Sequence, residues 1–401
     1  MIELDHMRFY APSGCITPGG PSQWHICDVD QRRIISVTMD EEQEDEDTAI
    51  QHLKKHLDTL GPDVFHVHLS PDGDIISTST DPMDDQTWYI PYPPEKEITR
   101  KCHGLKEVLR SELLEIDRIS MGVDHVSYIP ESDPSPNQVI FKYYFTWSWI
   151  YKLWNEMNLW MRLPRKMKYV AKFDRLVVDE PGGRVLGFTN EFIKGGTVKE
   201  NISRGFKLTW LKQLTEVVDE LNLKHGIAHQ DISPRNLLID ADDLKLFDFN
   251  YSGRIGEFNY SEDRNDVKGV IFTLYEIITR DDHFRCVPHD QQDSADVEAL
   301  DEWVKHPDVT LDHPVSDYRS LLNNWVKGRR EGKQITHFKQ APEYITWPEM
   351  EKDTTNGMRR DKQGDGKIIK WERPMQSKIK PGARVFADGR TEVAIHNTQE
   401  S

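Results

Sequence analysis

Two short apolar runs, NLLID (236–240) and LKLFD (244–248), separated only by Ala-Asp-Asp, constrain the fold of this chain more than any other feature. Paired as an antiparallel hairpin with Asp240 facing Leu244, they have a register that sums to 484, which sets Asn236 opposite Asp248. An amide oxygen and a carboxylate then lie side by side at one end of the hairpin. Two hard oxygen ligands with open positions suit Mg2+ shared with phosphates. Asp231 stands one short loop before Asn236, close enough to orient an attacking hydroxyl, and Arg235 can reach a phosphate oxygen. Phosphoryl transfer needs metal across the phosphates, a cation on the transferred group and a carboxylate that orients the nucleophile. A polar surface turn is the alternative, but it does not explain why these groups converge at the end of an apolar hairpin.

The rest of the chain divides around this hairpin. Residues 1–96 read as a β-rich extension of unknown role, with a strand at RRIISVTM (32–39), a helix at 47–60 and a hairpin turning at Pro71-Asp72-Gly73. The acidic run 40–47 reads as a solvated loop or helix start, and Pro-rich YIPYPPEKE (89–97) marks a boundary. Strands dominate 97–193: LLEIDRIS, HVSYI, QVIFKYYF and a hairpin over 173–193, with one helix at 149–163. Helices dominate 194–330, at 206–226 (closed by Gly226), 266–279 and 315–330. Residues 331–401 carry 13 Lys+Arg against 11 Asp+Glu and read as a polar, partly ordered tail.

Length and composition narrow the function classes. A chain of 401 residues fits about two to three domains. A net charge of −17 argues against nucleic acid or an anionic membrane as partner. Cys15, Cys27, Cys102 and Cys286 are far apart and form no CxxC pair, which suits reduced thiols. With no signal peptide and no apolar run of membrane-spanning length, the expectation is a soluble intracellular protein, in cytoplasm or nucleus.

The segment HQDISPRN (229–236) and the tripeptide DFN (248–250) together resemble the protein kinase superfamily, matching its His-x-Asp-x-x-x-x-Asn catalytic loop and its Asp-Phe-Gly. The likeness covers about 100–330. It is closest in style to kinase-like proteins of filamentous fungi, which share phrases such as FDRLVVDE and NDVKGVIFTLYEIIT. It implies an α+β, two-lobed fold with a β-rich N-lobe and helical C-lobe, and ATP and Mg2+ as cofactors. By this resemblance Asp231 is the catalytic base, Asn236 and Asp248 hold the metal, and His229 supports the loop. Lys142, in QVIFKYYF, holds the α/β-phosphates and pairs with Glu156 on the following helix. In the hinge-like FTNEFIKGG, the Glu191 carbonyl and Ile193 N–H meet adenine, Asn190 is the gatekeeper, and Leu238 packs on the ring. Asp266 resembles the aspartate that pins the catalytic-loop backbone, though it also reads as a simple N-cap.

Several positions depart from the pattern. The glycine-rich loop keeps only Gly122, which a plain hairpin turn would also explain. Gln230 replaces the arginine that reads an activation-loop phosphate, so no such phosphoswitch is expected. Ser233 replaces a lysine, and Arg235 can restore that charge. Asp248 and Asp266 are only 18 positions apart, and no Ala-Pro-Glu motif is found there. Asn250 replaces the usual glycine and tolerates unusual backbone angles. The expected function is an atypical protein serine/threonine kinase acting on a protein substrate. The alternatives are a pseudokinase scaffold without turnover and a small-molecule kinase. In the tail, DKQGDGKIIKWE (361–372) has EF-hand spacing at Asp361, Asp365, Gly366, Ile368 and Glu372, but Gly357 and Pro374 spoil both flanking helices, so a hairpin is simpler. The tail's Lys/Arg-rich part is expected to fold back on the acidic kinase domain and restrain it.

Overall fold

The alternating pattern of the first 96 residues builds a five-stranded sheet. In the computed structural model, which describes all residues except 1, 3, 99–103, 180–182, 202, 351–356, 361–367 and 394–401, one helical turn, α1 (Asp5–Arg8), leads into it. Strands β1 (Phe9–Ile16), β2 (Ser22–Asp28), β3 (Arg33–Met39), β4 (His66–Leu69) and β5 (Ile75–Ser79) lie in that order. Neighbours are antiparallel except β3 and β4, which run parallel because α2 (Glu46–Lys54) carries the chain back between them. Ala49, Ile50 and Leu53 of α2 pack with Ile26, Ile35, Val37, Val67 and Leu69 as the core of this layer. Strand β1 escapes periodicity because Pro12 and Gly14 interrupt it, and its pairing shifts register between Tyr10 and Ser13.

A second, six-stranded sheet follows the short helix α3 (Glu95–Ile98). It comprises β6 (Lys106–Leu109), β7 (Leu114–Ser120), β8 (Val123–Tyr128), β9 (Asn137–Tyr143), β10 (Phe173–Val178) and β11 (Val185–Glu191), in the order β6-β10-β11-β9-β8-β7. Strands β7, β8 and β9 form an antiparallel meander. By contact, both sheets belong to one unit comprising Met1–Leu153, Asp174–Phe192 and Glu349–Ser401. Packing therefore joins residues 1–96 to the second sheet and adds the end of the chain to both.

A buried ionic cluster ties these segments together. Arg32 donates to Asp124 Oδ2 at 2.5 Å, to the Tyr143 hydroxyl at 2.7 Å and to the Ala387 carbonyl at 2.6 Å. Arg118 donates to Asp30 Oδ2 at 2.8 Å and Glu115 Oε1 at 2.7 Å. Arg373 donates to Asp124 Oδ2 and Glu115 Oε2, both at 2.9 Å, and to the Asp30 carbonyl at 2.7 Å. All three arginine side chains are 0% exposed. Three guanidinium groups face three carboxylates, so the cluster is neutral and tolerates removal from water. Burial alone would raise the Asp124 carboxyl, but Arg373 and Arg32 hold it below the ordinary carboxylate range. Trp371 stacks on Tyr143 at 4.8 Å between centroids, and Ile368, Ile369, Val385 and Phe386 are buried as well. The later tail is thus part of a core. The Asp361–Gly366 portion of the EF-hand-like spacing lies outside the described residues.

The second unit, Trp154–Phe173 and Ile193–Pro348, draws its regular structure mainly from helices. It takes the later turns of α4 (Ile150–Trp160), then α5 (Leu208–Asp219), β12 (Ile227–Ala228), β13 (Leu237–Asp240), β14 (Asp243–Leu246), β15 (Gly253–Arg254), α6 (Asp266–Thr279), α7 (Ser294–Glu298) and α8 (Val315–Glu331). The apolar α6 is central: Val270, Ile271, Phe272, Leu274 and Ile278 are all buried. Gly226 takes φ +70°, and a Cβ there would sit 2.6 Å from the Phe338 carbonyl oxygen, so the start of the tail also packs tightly. Among the described residues no helix is long and apolar enough to cross a membrane.

Candidate functional site

The hairpin forms, with a register one residue from expectation. Leu237 faces Leu246 and Asp240 faces Asp243, so the sum is 483. The cause is the turn: Ala241 adopts φ +53°, which lets two residues close the hairpin where three were counted. Asn236 therefore lies beside Phe247, whose N–H donates to the Asn236 carbonyl at 3.2 Å, and not opposite Asp248. Asp248 itself takes φ +65°, whereas Asn250 has no positive φ.

The loop before the hairpin is held by Asp266. Asn265 caps α6, accepting from the N–H groups of Val267 and Lys268, which leaves the Asp266 carboxylate for other work. It accepts the His229 N–H at 2.8 Å, the Gln230 N–H at 2.7 Å and the Asn222 amide at 2.8 Å. Asn222 in turn accepts from Arg329 at 3.0 Å. His229 donates Nε2 to the Phe247 carbonyl at 3.0 Å, which joins the loop to the strand before Asp248. Gln230, at φ +64°, donates to the carbonyls of Tyr251 and Asn259 at 2.7 Å each and accepts the Ser261 N–H at 2.6 Å. A neutral amide thus stitches residues 251–261 to the loop.

Within this frame Asp231 is buried and precisely oriented. The Asn236 amide donates to its carbonyl and to Oδ2, both at 2.8 Å, and Arg235 Nη2 donates to Oδ1 at 2.7 Å. The Arg235 side chain is 53% exposed, so its remaining donors can meet a ligand. Asn236 spends its Nδ2 on Asp231, and its Oδ1 receives no hydrogen bond from the described residues. An open amide oxygen is a hard donor of the kind Mg2+ takes together with waters and phosphate oxygens. Among the described residues no three His, Cys, Asp or Glu gather as an all-protein metal cage.

The other residues singled out in the sequence lie as follows. Lys142 is buried on β9, opposite Val123 on one side and Phe188 on the other. Glu156 is fully buried on α4. Gly122 takes φ +69° and its carbonyl accepts the Tyr143 N–H at 2.9 Å; a Cβ would lie 2.0 Å from the Tyr143 oxygen, so the turn and the close approach of β9 both demand glycine. Glu191 ends β11 opposite Val139, Asn190 is buried opposite Ile140, and Ile193 is buried. Leu238 is half-buried and bridges to Thr197. Sequence reasoning missed Asn222 and Arg329; the only signal was a polar residue beside buried Leu221 in an otherwise apolar helix face.

No protein-family model matches the chain, and no curated protein matches it.

Proposed function

We propose that the chain is an ATP- and Mg2+-dependent phosphotransferase with a two-lobed, protein-kinase-like organisation, an atypical serine/threonine kinase without an activation-loop phosphoswitch. One observation carries the reading: a carboxylate, Asp231, is held by Asn236 and Arg235 in a loop whose backbone is fixed by Asp266. In this reading Asp231 accepts the proton of an attacking hydroxyl, and Arg235 offers donors to the transferred group. Mg2+ would be held by Asn236 and Asp248 and would offset phosphate charge. Lys142, Glu156, Gly122, Glu191, Ile193 and Leu238 keep the nucleotide-binding roles that the resemblance assigns. The Gln230 bridges support a loop ordered without phosphorylation. Candidates at the strand-lysine and metal-ligand positions (Lys142, Asn236 and Asp248) speak against a pseudokinase, while the 18-residue step from Asp248 to Asp266 keeps a small-molecule kinase as the second reading.

The test is Asp231→Ala. Nucleotide binding by thermal shift should be retained, and turnover should fall by roughly 10²–10⁴-fold, the usual worth of a positioned general base. Equal turnover in variant and parent defeats the assignment.

A further inference from the structure

A cavity of about 520 Å³ lies within the second unit, beside the catalytic loop. Ser233, Pro234 and Arg235, two to four residues after Asp231, form one wall. The facing segment is tied to that wall: Lys199 N–H donates to the Pro234 carbonyl at 3.2 Å and Val198 N–H to the Leu237 carbonyl at 2.9 Å. The cavity therefore begins where an acceptor hydroxyl would meet Asp231.

Its charge is unbalanced. Five cations line it (Lys199, Arg204, Arg235, Arg280 and Arg285) against Glu276 and Asp282. Three of the five are engaged: Arg285 with Glu276 at 2.5 Å, Arg280 with Asp308 at 3.0 Å and Arg235 with Asp231 at 2.7 Å. Lys199 and Arg204 make no ion pair among the described residues, and Arg204 Nη1 is buried with no hydrogen-bond partner. Gly195, at φ +106°, gives this guanidinium its room, since a Cβ there would come within 2.4 Å of Arg204 Nη2. The cation is thus seated by packing and meets no anion among the described residues. A buried donor in this state calls for a ligand or a cost. Val198, Phe206, Ile277 and Val309 supply an apolar wall that strengthens any ion pair formed inside. The excess of cations here runs against the net charge of −17 of the whole chain.

We propose that this cavity is the subsite for an anionic side chain (aspartate, glutamate or a phosphorylated residue) of the protein substrate, close in sequence to the accepting hydroxyl. The proposal rests on the phosphotransferase reading and names its substrate class. Exposed Lys199, Arg235 and Cys286 among the lining leave room for a peptide backbone to pass outside while one side chain enters. An extended chain advances about 3.3 Å per residue, so the neighbouring one to three residues reach the cavity from a hydroxyl at Asp231.

Two measurements decide it. In a Ser/Thr-centred positional peptide library with ATP and Mg2+, Asp, Glu or phosphoserine should be favoured over Ala at one or two flanking positions by roughly ten- to a hundredfold, the worth of a hydrogen bond to a charged group. Arg204→Met and Lys199→Met should each flatten that preference and leave the KM for ATP and the rate on the Ala peptide unchanged. In parallel, a fluorescein-labelled Glu-Glu-Ala-Glu-Glu peptide should bind the parent without nucleotide, by anisotropy, and lose binding in both variants. Lys199 is exposed, so its variant stands even if Arg204→Met fails to fold. A flat or basic preference, variants identical to the parent, or transfer only to small anionic alcohols overturns the proposal. Peptide binding that depends on Arg204 and Lys199 without transfer to any peptide would keep the subsite and defeat the phosphotransferase reading.

Discussion

The ionic cluster around Arg32, Arg118 and Arg373 and the loop around Asp231 both pair guanidinium groups with carboxylates, yet they differ in what is left over. In the first, three arginines meet three acids at full burial and add backbone carbonyls and a tyrosine hydroxyl. In the second, Arg235 is half in solvent and the Asn236 side-chain oxygen has no donor among the described residues. A neutral, enclosed cluster holds segments of chain together; an incomplete one is ready for a ligand. The Arg204 cavity belongs with the second kind.

Perturbing the closed cluster should cost stability and spare the chemistry of the loop, and the effects can be ranked. The largest is truncation before Ile368. It removes Arg373 together with Ile368, Ile369, Trp371, Val385 and Phe386, so circular dichroism and proteolysis should show the first unit unfolded. A tail that merely restrained the enzyme would leave a folded, more active protein, as the sequence alone suggested. Next is Arg373→Met, which leaves two arginines, Arg32 and Arg118, to face the three buried carboxylates Asp30, Glu115 and Asp124. It should destabilise by about 3–5 kcal/mol in denaturant melts, the cost of breaking a buried pair.

Asp124→Asn should cost a similar or smaller amount and also change the acid response. The folded-state pKa of Asp124 is depressed, so its stabilisation is present above about pH 4 and is lost as pH falls through the folded value. Melting temperature in the parent should drop below that pH, and the variant should show a shallower fall. The smallest effect is expected at Gln230→Glu. A carboxylate cannot donate to the Tyr251 and Asn259 carbonyls, so about 1–3 kcal/mol should be lost and the 251–261 segment should exchange amide hydrogens faster.

The two regions also differ in how far the sequence revealed them. The loop is local: His229, Asp231, Asn236, Asp248 and Asp266 fall within one short stretch, and the apolar runs of β13, β14 and α6 mark their own limits. What failed there was a single turn residue, Ala241, whose left-handed backbone shifted the register by one. The ionic cluster has no local signature. Arg118 and Asp30 are 88 positions apart and Arg373 and Asp30 are 343 apart, so nothing in periodicity or spacing joins them. A tail with balanced charge reads as solvated even when its arginines are the ones that go inside. Arg204 was hidden likewise, since its value depends on the absence of a partner.

The central claim is that the open cluster transfers phosphate. Mass spectrometry of the purified protein incubated with ATP and Mg2+ and a generic protein substrate, beside Asp231→Ala, tests it directly. The account predicts phosphate on serine or threonine with the parent and its loss with the variant. No phosphate with the parent, or equal phosphate with both, would contradict it.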